Sequence, residues 1–234
     1  MLEPDFDINI EGGSEREIIQ INMYNPIINN GDGGLQLTNV YAFKPIFYIN
    51  RQDFEKMIIY VVSEIGYNDA LNYAKQYARI LGQMPRHLLT SIEEVWVRKD
   101  GYDKYLAIDN KYILIYAEHA KKDDSNGTLE EILFHEATHV FMDPYCRDIN
   151  NYFIDNNGEA TSWPDAQRKD KKWISEYAFK NQNREDVAES YLAYYAITYR
   201  SNKIDPYIVP LIKLTMPNRI KFFDYLIQRY RLEM

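Results

Sequence analysis

The sequence predicts an α+β fold, with a mixed sheet in the first half and a mainly helical C-terminal half. Three observations carry this. Apolar runs with strand character, bounded by Gly, Asn and Asp, recur up to Ala117. Beyond Thr128 the apolar residues fall at helical spacing. Within the first of those helices stands Phe134-His135-Glu136-Ala137-Thr138-His139-Val140, two histidines one turn apart.

A chain of 234 residues is one domain or two small ones. A net charge of −8 argues against nucleic acid or anionic membrane as partner, since both select a basic surface. The 21 tyrosines suit half-buried positions and groove walls. Cys146 is the single cysteine, so no internal disulfide forms, and a small buried side chain is its expected role. No secretory signal is read at Met1–Asp5, and the apolar run Ile58–Val62 is too short for a membrane span. Secreted and cytoplasmic locations both stay open.

Taken in order, residues 1–50 predict a β-rich N-terminal extension or subdomain, and residues 51–234 the main domain. Phe6–Ile10 and Ile18–Met23 alternate as strands, with loops at Gly12-Gly13 and Asn29–Gly34. Val40–Ile49 is a third strand, and Pro45 inside it suggests an edge. Phe54, Met57, Ile58, Val61, Val62 and Ile65 repeat at helical spacing, with Gly66 closing that helix. A second helix runs from about Asn68 to Leu81 and ends at Gly82. His87 is structural or exposed. Glu94–Arg98 is a strand, and Tyr105–Ile108 and Tyr112–Ala117 form a hairpin about Asp109-Asn110. His119 is an exposed loop residue.

Asn126-Gly127 then turns the chain, and Thr128-Leu129-Glu130-Glu131 matches a capping box opening the motif helix. In it, His135 and His139 share a face and reach one metal ion, while Glu136 stands beside it as a base for water. A catalytic zinc needs a third protein ligand and an open position. The metzincin continuation is excluded, because Met142 and Tyr145 occupy its Gly and His positions. A carboxylate on a later helix is expected, and three candidates stay open. Glu185 and Glu189 lie one turn apart on a helix over Asn183–Tyr195; Glu185 ligates while Glu189 accepts the spare N–H of a ligand histidine, or Glu189 itself ligates. Glu159 is the third candidate, although Asn156–Gly158 and Pro164 around it read as loop. Asp143, one turn past His139, either supports the site or is an ordinary helix residue. Asp165–Lys172 reads as a solvated charged run, and Ile204–Leu214 and the helix after Pro217 as packing helices.

His135-Glu136-x-x-His139 followed by Glu185-Asp186-Val187-Ala188-Glu189 resembles the gluzincin group of metallopeptidases. Within it, the likeness is to the anthrax lethal factor-like and Pro-Pro endopeptidase-like branch. His135–Asp143, Trp173–Tyr195 and Met216–Ile220 also resemble uncharacterised bacterial proteins with the same motif order. The resemblance implies a zincin-like fold and Zn2+ held by His135, His139 and Glu185. It further implies a peptide or protein substrate, Glu136 as general base, and a tyrosine upstream of the ligand Glu that donates to the oxyanion. Tyr177 stands in that place, eight residues before Glu185 and one more than the family spacing. The competing expectation is a catalytically inactive zincin-fold protein that binds a peptide or protein partner.

Overall fold

The computed structural model describes residues 8–10, 18–26, 35–44, 46–49, 55–99 and 105–232. The fold is α+β with a mixed sheet. Two compact units divide the chain, residues 1–84 with 88–140, and residues 85–87 with 141–234. Gly12-Gly13, Asn29–Gly34, Pro45 and Phe54 lie outside the described residues.

The first unit holds β1 (Ile8–Ile10), β2 (Ile18–Pro26), β3 (Leu35–Phe43), β4 (Ile46–Ile49), β5 (Glu55–Val62) and α1 (Tyr67–Leu81). Next come the end of α2 (Arg86–Ser91), β6 (Glu94–Arg98), β7 (Leu106–Ile108), β8 (Tyr112–Tyr116), α3 (Ala117–Asn126) and the start of α4 (Leu129–Arg147). The sheet runs β1-β4-β5-β6-β8-β7, with β3 also on β5 and β2 on β3. β5, β6 and β8 are parallel; the remaining pairings are antiparallel. The boundary expected at residue 50 therefore falls inside this sheet, because β3 and β4 both pair with β5. They do so in one register, Phe43 opposite Val61 and Ile46 opposite Ile58. β4 is no edge: β1 pairs with its other side.

The helix expected over Phe54–Ile65 is instead β5 and a short 3-10 turn, Ser63–Ile65. Ile58–Val62 is a continuous apolar run dominated by β-branched residues, the signature of a central strand buried on both faces. One face carries Ile59, Val61, Val95, Val97, Ile113 and Ile115, all fully buried. The other carries Tyr60, Val62, Trp96, Leu114 and Tyr116, packed with Met23 and Ala42 from the β2–β3 hairpin. Gly66, at φ 85, closes the 3-10 turn by donating its N–H to the Ser63 carbonyl and is also the N-cap from which α1 starts. In α1, Ala70, Ala74, Tyr77, Ala78 and Leu81 are buried at helical spacing, and the helix ends at Gly82 as expected. The β7–β8 hairpin is present, with Asp109 and Asn110 both at positive φ. The segment after it is helical, so His119 lies half-buried on α3 and not in an exposed loop.

The second unit holds the end of α4, a hairpin of β9 (Tyr152–Ile154) and β10 (Ala160–Ser162), α5 (Trp163–Asp170), α6 (Glu176–Lys180), α7 (Glu185–Tyr199), α8 (Ile208–Thr215) and α9 (Pro217–Tyr230). Trp163, Tyr191, Tyr194, Phe222 and Phe223 form its aromatic core, and Phe223 lies 5.1 Å from both the Trp163 and the Tyr191 ring. Pro164, read from sequence as loop, sits in the first turn of α5 behind a Ser162–Asp165 capping box. The run Asp165–Lys172 is not wholly solvated, since Asp170 is buried. α9 packs as expected. α8 does not: it buries Ile212, while Ile208, Leu211 and Leu214 are 45%, 61% and 69% exposed. Cys146 is buried, and burial pushes its thiol well above the ordinary value. No helix among the described residues is long and apolar enough to cross a membrane.

The β9–β10 turn is fixed by one carboxylate. Asp155 accepts from the backbone N–H of Asn157 and Glu159 at 2.9 and 3.0 Å, and from Lys169 Nζ at 2.6 Å. The Lys169 hydrogen bond foremost, then those backbone donors, lower its pKa from 3.8 to about 2. A depressed carboxylate stabilises the fold above its ordinary pKa and loses that effect as pH falls through the depressed one. The turn should therefore loosen as pH drops from 3.8 toward about 2, followed by NMR of the Asp155 carboxyl and the Glu159 amide. Asp155→Asn should abolish that acid dependence, and titration of Asp155 at its ordinary value would refute it.

Candidate metal centre

The motif helix begins where Gly127, at φ 73, ends α3 in the left-handed conformation. Thr128 precedes it, its carbonyl accepting the Ile132 N–H at 3.1 Å. Leu129, Leu133, Ala137 and Val140 are buried, which fixes the rotation of the helix. His135 and His139 then lie one turn apart with ring centroids 4.8 Å from each other and Nε2 atoms 3.1 Å apart. His139 is buried; His135 and Glu136 are half-buried. Between them Thr138 is turned inward, its hydroxyl donating to the Phe134 carbonyl at 2.8 Å.

Glu136 Oε2 accepts the backbone N–H of Ala107 at 2.8 Å. Ala107 lies opposite Ile113 in the β7–β8 pairing, yet this N–H goes to Glu136. Ala107 is thus at a non-hydrogen-bonded position of the antiparallel pair, with its N–H directed away from β8. Among the described residues β7 ends the sheet, so the glutamate of the motif is joined to an edge strand.

Glu185 is the first residue of α7, and Glu189 lies one turn further on; both are half-buried. The residues flanking Glu185 are anchored. Before it, Arg184 Nε stands 3.5 Å from the buried carboxylate of Asp143, which also accepts from Arg147 at 3.0 Å. After it, Asp186 is fully buried, accepting from Gln167 at 2.8 Å, from Ser190 at 3.1 Å and from Arg219 Nη1. Burial pushes the Asp186 carboxyl up from its ordinary value, while Arg219, Gln167 and Ser190 pull it down. Arg219, itself fully buried, also donates Nε to Asp170 at 3.0 Å and Nη2 to the Lys172 carbonyl.

His135, His139 and Glu185 each offer one ligand atom, and these atoms lie within 4.8 Å of one another. Ligand atoms around a tetrahedral zinc stand roughly 3.3–3.6 Å apart, given metal–ligand lengths of about 2.0–2.2 Å. The spread is one that small side-chain rotations close. Two imidazoles and a carboxylate suit zinc and leave a position open.

The remaining sequence candidates fall elsewhere or beside this group. Glu189 is not among the three. Glu159 lies in the β9–β10 turn, 3.4 Å from Lys169 Nζ. Tyr177 is on α6 with its side chain 52% exposed, and its carbonyl accepts from Asn181. His87 is buried and hydrogen bonded to the Tyr191 hydroxyl at 2.7 Å, a structural role. Sequence reading missed the Asp186–Arg219–Asp170 cluster. Its signal was present: Arg219, Phe222, Phe223 and Leu226 share one helical stripe, so the arginine lies on the buried face of α9.

Comparison with protein-family models, with curated proteins and with solved structures finds no significant match.

Proposed function

We propose that this protein is a zinc metallopeptidase of the zincin-like kind, hydrolysing peptide bonds in a peptide or protein substrate. The observation that carries the reading is the convergence of His135, His139 and Glu185 within 4.8 Å. Glu136, which follows the first of them, is held against the edge strand. In this reading the three side chains hold zinc. When bound, zinc supplies a Lewis acid for the scissile carbonyl and brings water to an acidity useful at neutral pH.

The chain's own groups do the rest. Glu136 accepts the proton of the attacking water and delivers it to the leaving amine, one carboxylate serving as base and then acid. The amide hydrogen bond from Ala107 orients that carboxylate. Tyr177 donates its hydroxyl to the developing oxyanion. An extended substrate adds to the β7 edge by backbone pairing through the Ala107 carbonyl, since Glu136 holds the Ala107 N–H. Glu189 acts beside the ligands, accepting the outer N–H of a histidine.

A second reading is favoured by the same edge strand: a zincin-fold protein that binds a peptide through β7 without cleaving it. Cleavage separates the two.

Elemental analysis of the purified protein should find one zinc per chain. Glu185→Ala should lose it, whereas Glu189→Ala should weaken binding about 10–100-fold without abolishing it. A folded protein without zinc, even after supplementation, rejects the metal reading. Glu136→Gln should keep its zinc while peptidase activity falls about 10²–10⁴-fold, and an unchanged rate would rule out Glu136 as the base. Tyr177→Phe should lower kcat by about 10²-fold with little change in KM if its hydroxyl meets the oxyanion. A change confined to KM would place Tyr177 in ground-state binding instead.

A further inference from the structure

We propose that Arg219 is a positioning residue for the metal ligand Glu185, acting through Asp186. The inference rests on the metal reading above and concerns what holds its third ligand in place. Glu185 opens α7, and a helix start is where backbone order is weakest unless a cap secures it. The N-cap residue is Arg184, and its side chain makes no cap hydrogen bond. The Asn181 carbonyl holds the Arg184 and Glu185 N–H groups at 3.2 and 3.0 Å, and tertiary contacts add to this local hold.

Those contacts converge on the residue after the ligand. Asp186 receives three donors, Arg219 Nη1, Gln167 Nε2 and Ser190 Oγ. Gln167 also donates to the Gln182 carbonyl at 3.0 Å, tying down the segment that leads into the helix. Arg219 is in turn fixed by Asp170, whose carboxylate accepts Nε at 3.0 Å and the first-turn N–H groups of Asn218 and Arg219 at 2.8 and 3.1 Å. The Lys172 carbonyl takes Nη2, and the Trp173 ring lies 5.4 Å from the guanidinium carbon. The arginine thus bolts the first turn of α7 to the end of α5 and the start of α9.

Stability alone does not account for burying these charges. Apolar side chains of similar volume commonly replace a buried ion cluster at no loss of stability. A planar, five-donor guanidinium with fixed partners instead specifies position. The position it specifies lies one residue from a ligand whose carboxylate must meet two imidazoles to within tenths of an ångström.

The test is zinc affinity by chelator competition on the full chain, for wild type, Asp186→Asn, Gln167→Ala and Leu226→Ala. Gln167 is partly exposed, so Gln167→Ala keeps the test open if Asp186→Asn fails to fold. Leu226 is buried on α9, two turns from Arg219, and serves as a destabilised control. Asp186→Asn and Gln167→Ala should each weaken zinc about 10–100-fold. Leu226→Ala should lower the melting temperature of the zinc-free protein and hold zinc within about twofold of wild type. Wild-type affinity in both Asp186→Asn and Gln167→Ala, or an equal loss in Leu226→Ala, overturns the positioning role and leaves the metal reading standing. A wild type that binds no zinc overturns both.

Discussion

Two imidazole Nε2 atoms 3.1 Å apart cannot both carry a proton toward each other. Either one is protonated and donates to the other, or both lone pairs address a common cation. This constraint governs what surrounds the pair. It requires unbroken helix from His135 to His139 and a rotation fixed by Leu129, Leu133, Ala137 and Val140. His139 is buried and His135 half-buried.

The support for Glu185 is of a different physical kind. The histidines are set by apolar packing of a long helix, which tolerates volume-conserving change. The carboxylate is set by charge, through Asp143 to Arg184 on one side and Arg219 to Asp186 on the other. Breaking one partner out of the fully buried Arg219–Asp186 pair costs about 3–5 kcal/mol, because the partner left behind stays buried and charged. The two histidines and Glu185 should therefore differ in how they respond to substitution nearby, gradually around α4 and abruptly around the start of α7.

Much of this was legible in the sequence where local signals and packing agree. The motif helix, α1, the β7–β8 hairpin, α7 and α9 all show periodicity bounded by turn residues, and each formed. The failures share a cause. Ile58–Val62 has spacing that fits a helix and composition that fits a buried strand, and only its parallel partner β6 decides between them. Asp170 sits in a charged run that reads as solvated until a buried arginine more than forty residues later claims it. α8 carries apolar residues in number, but only Ile212 of them is buried, and sequence does not say which face meets a neighbour. α3, polar throughout except for two alanines, has little periodicity to read. Pattern leaves three glutamates open as companions of the histidines; Glu185 offers an oxygen within 4.8 Å of both, and Glu159 lies in a hairpin turn.

The contact between Ala107 and Glu136 has a consequence for solubility. A strand that ends a sheet presents backbone donors to the solvent, and a second copy of the same strand is the partner most ready to take them. β7 is only three residues long, and the N–H at its centre is taken by a carboxylate from the chain's own helix. The Glu136 carboxylate stands guard on the sheet's open side, so that aggregation through this edge must first displace it.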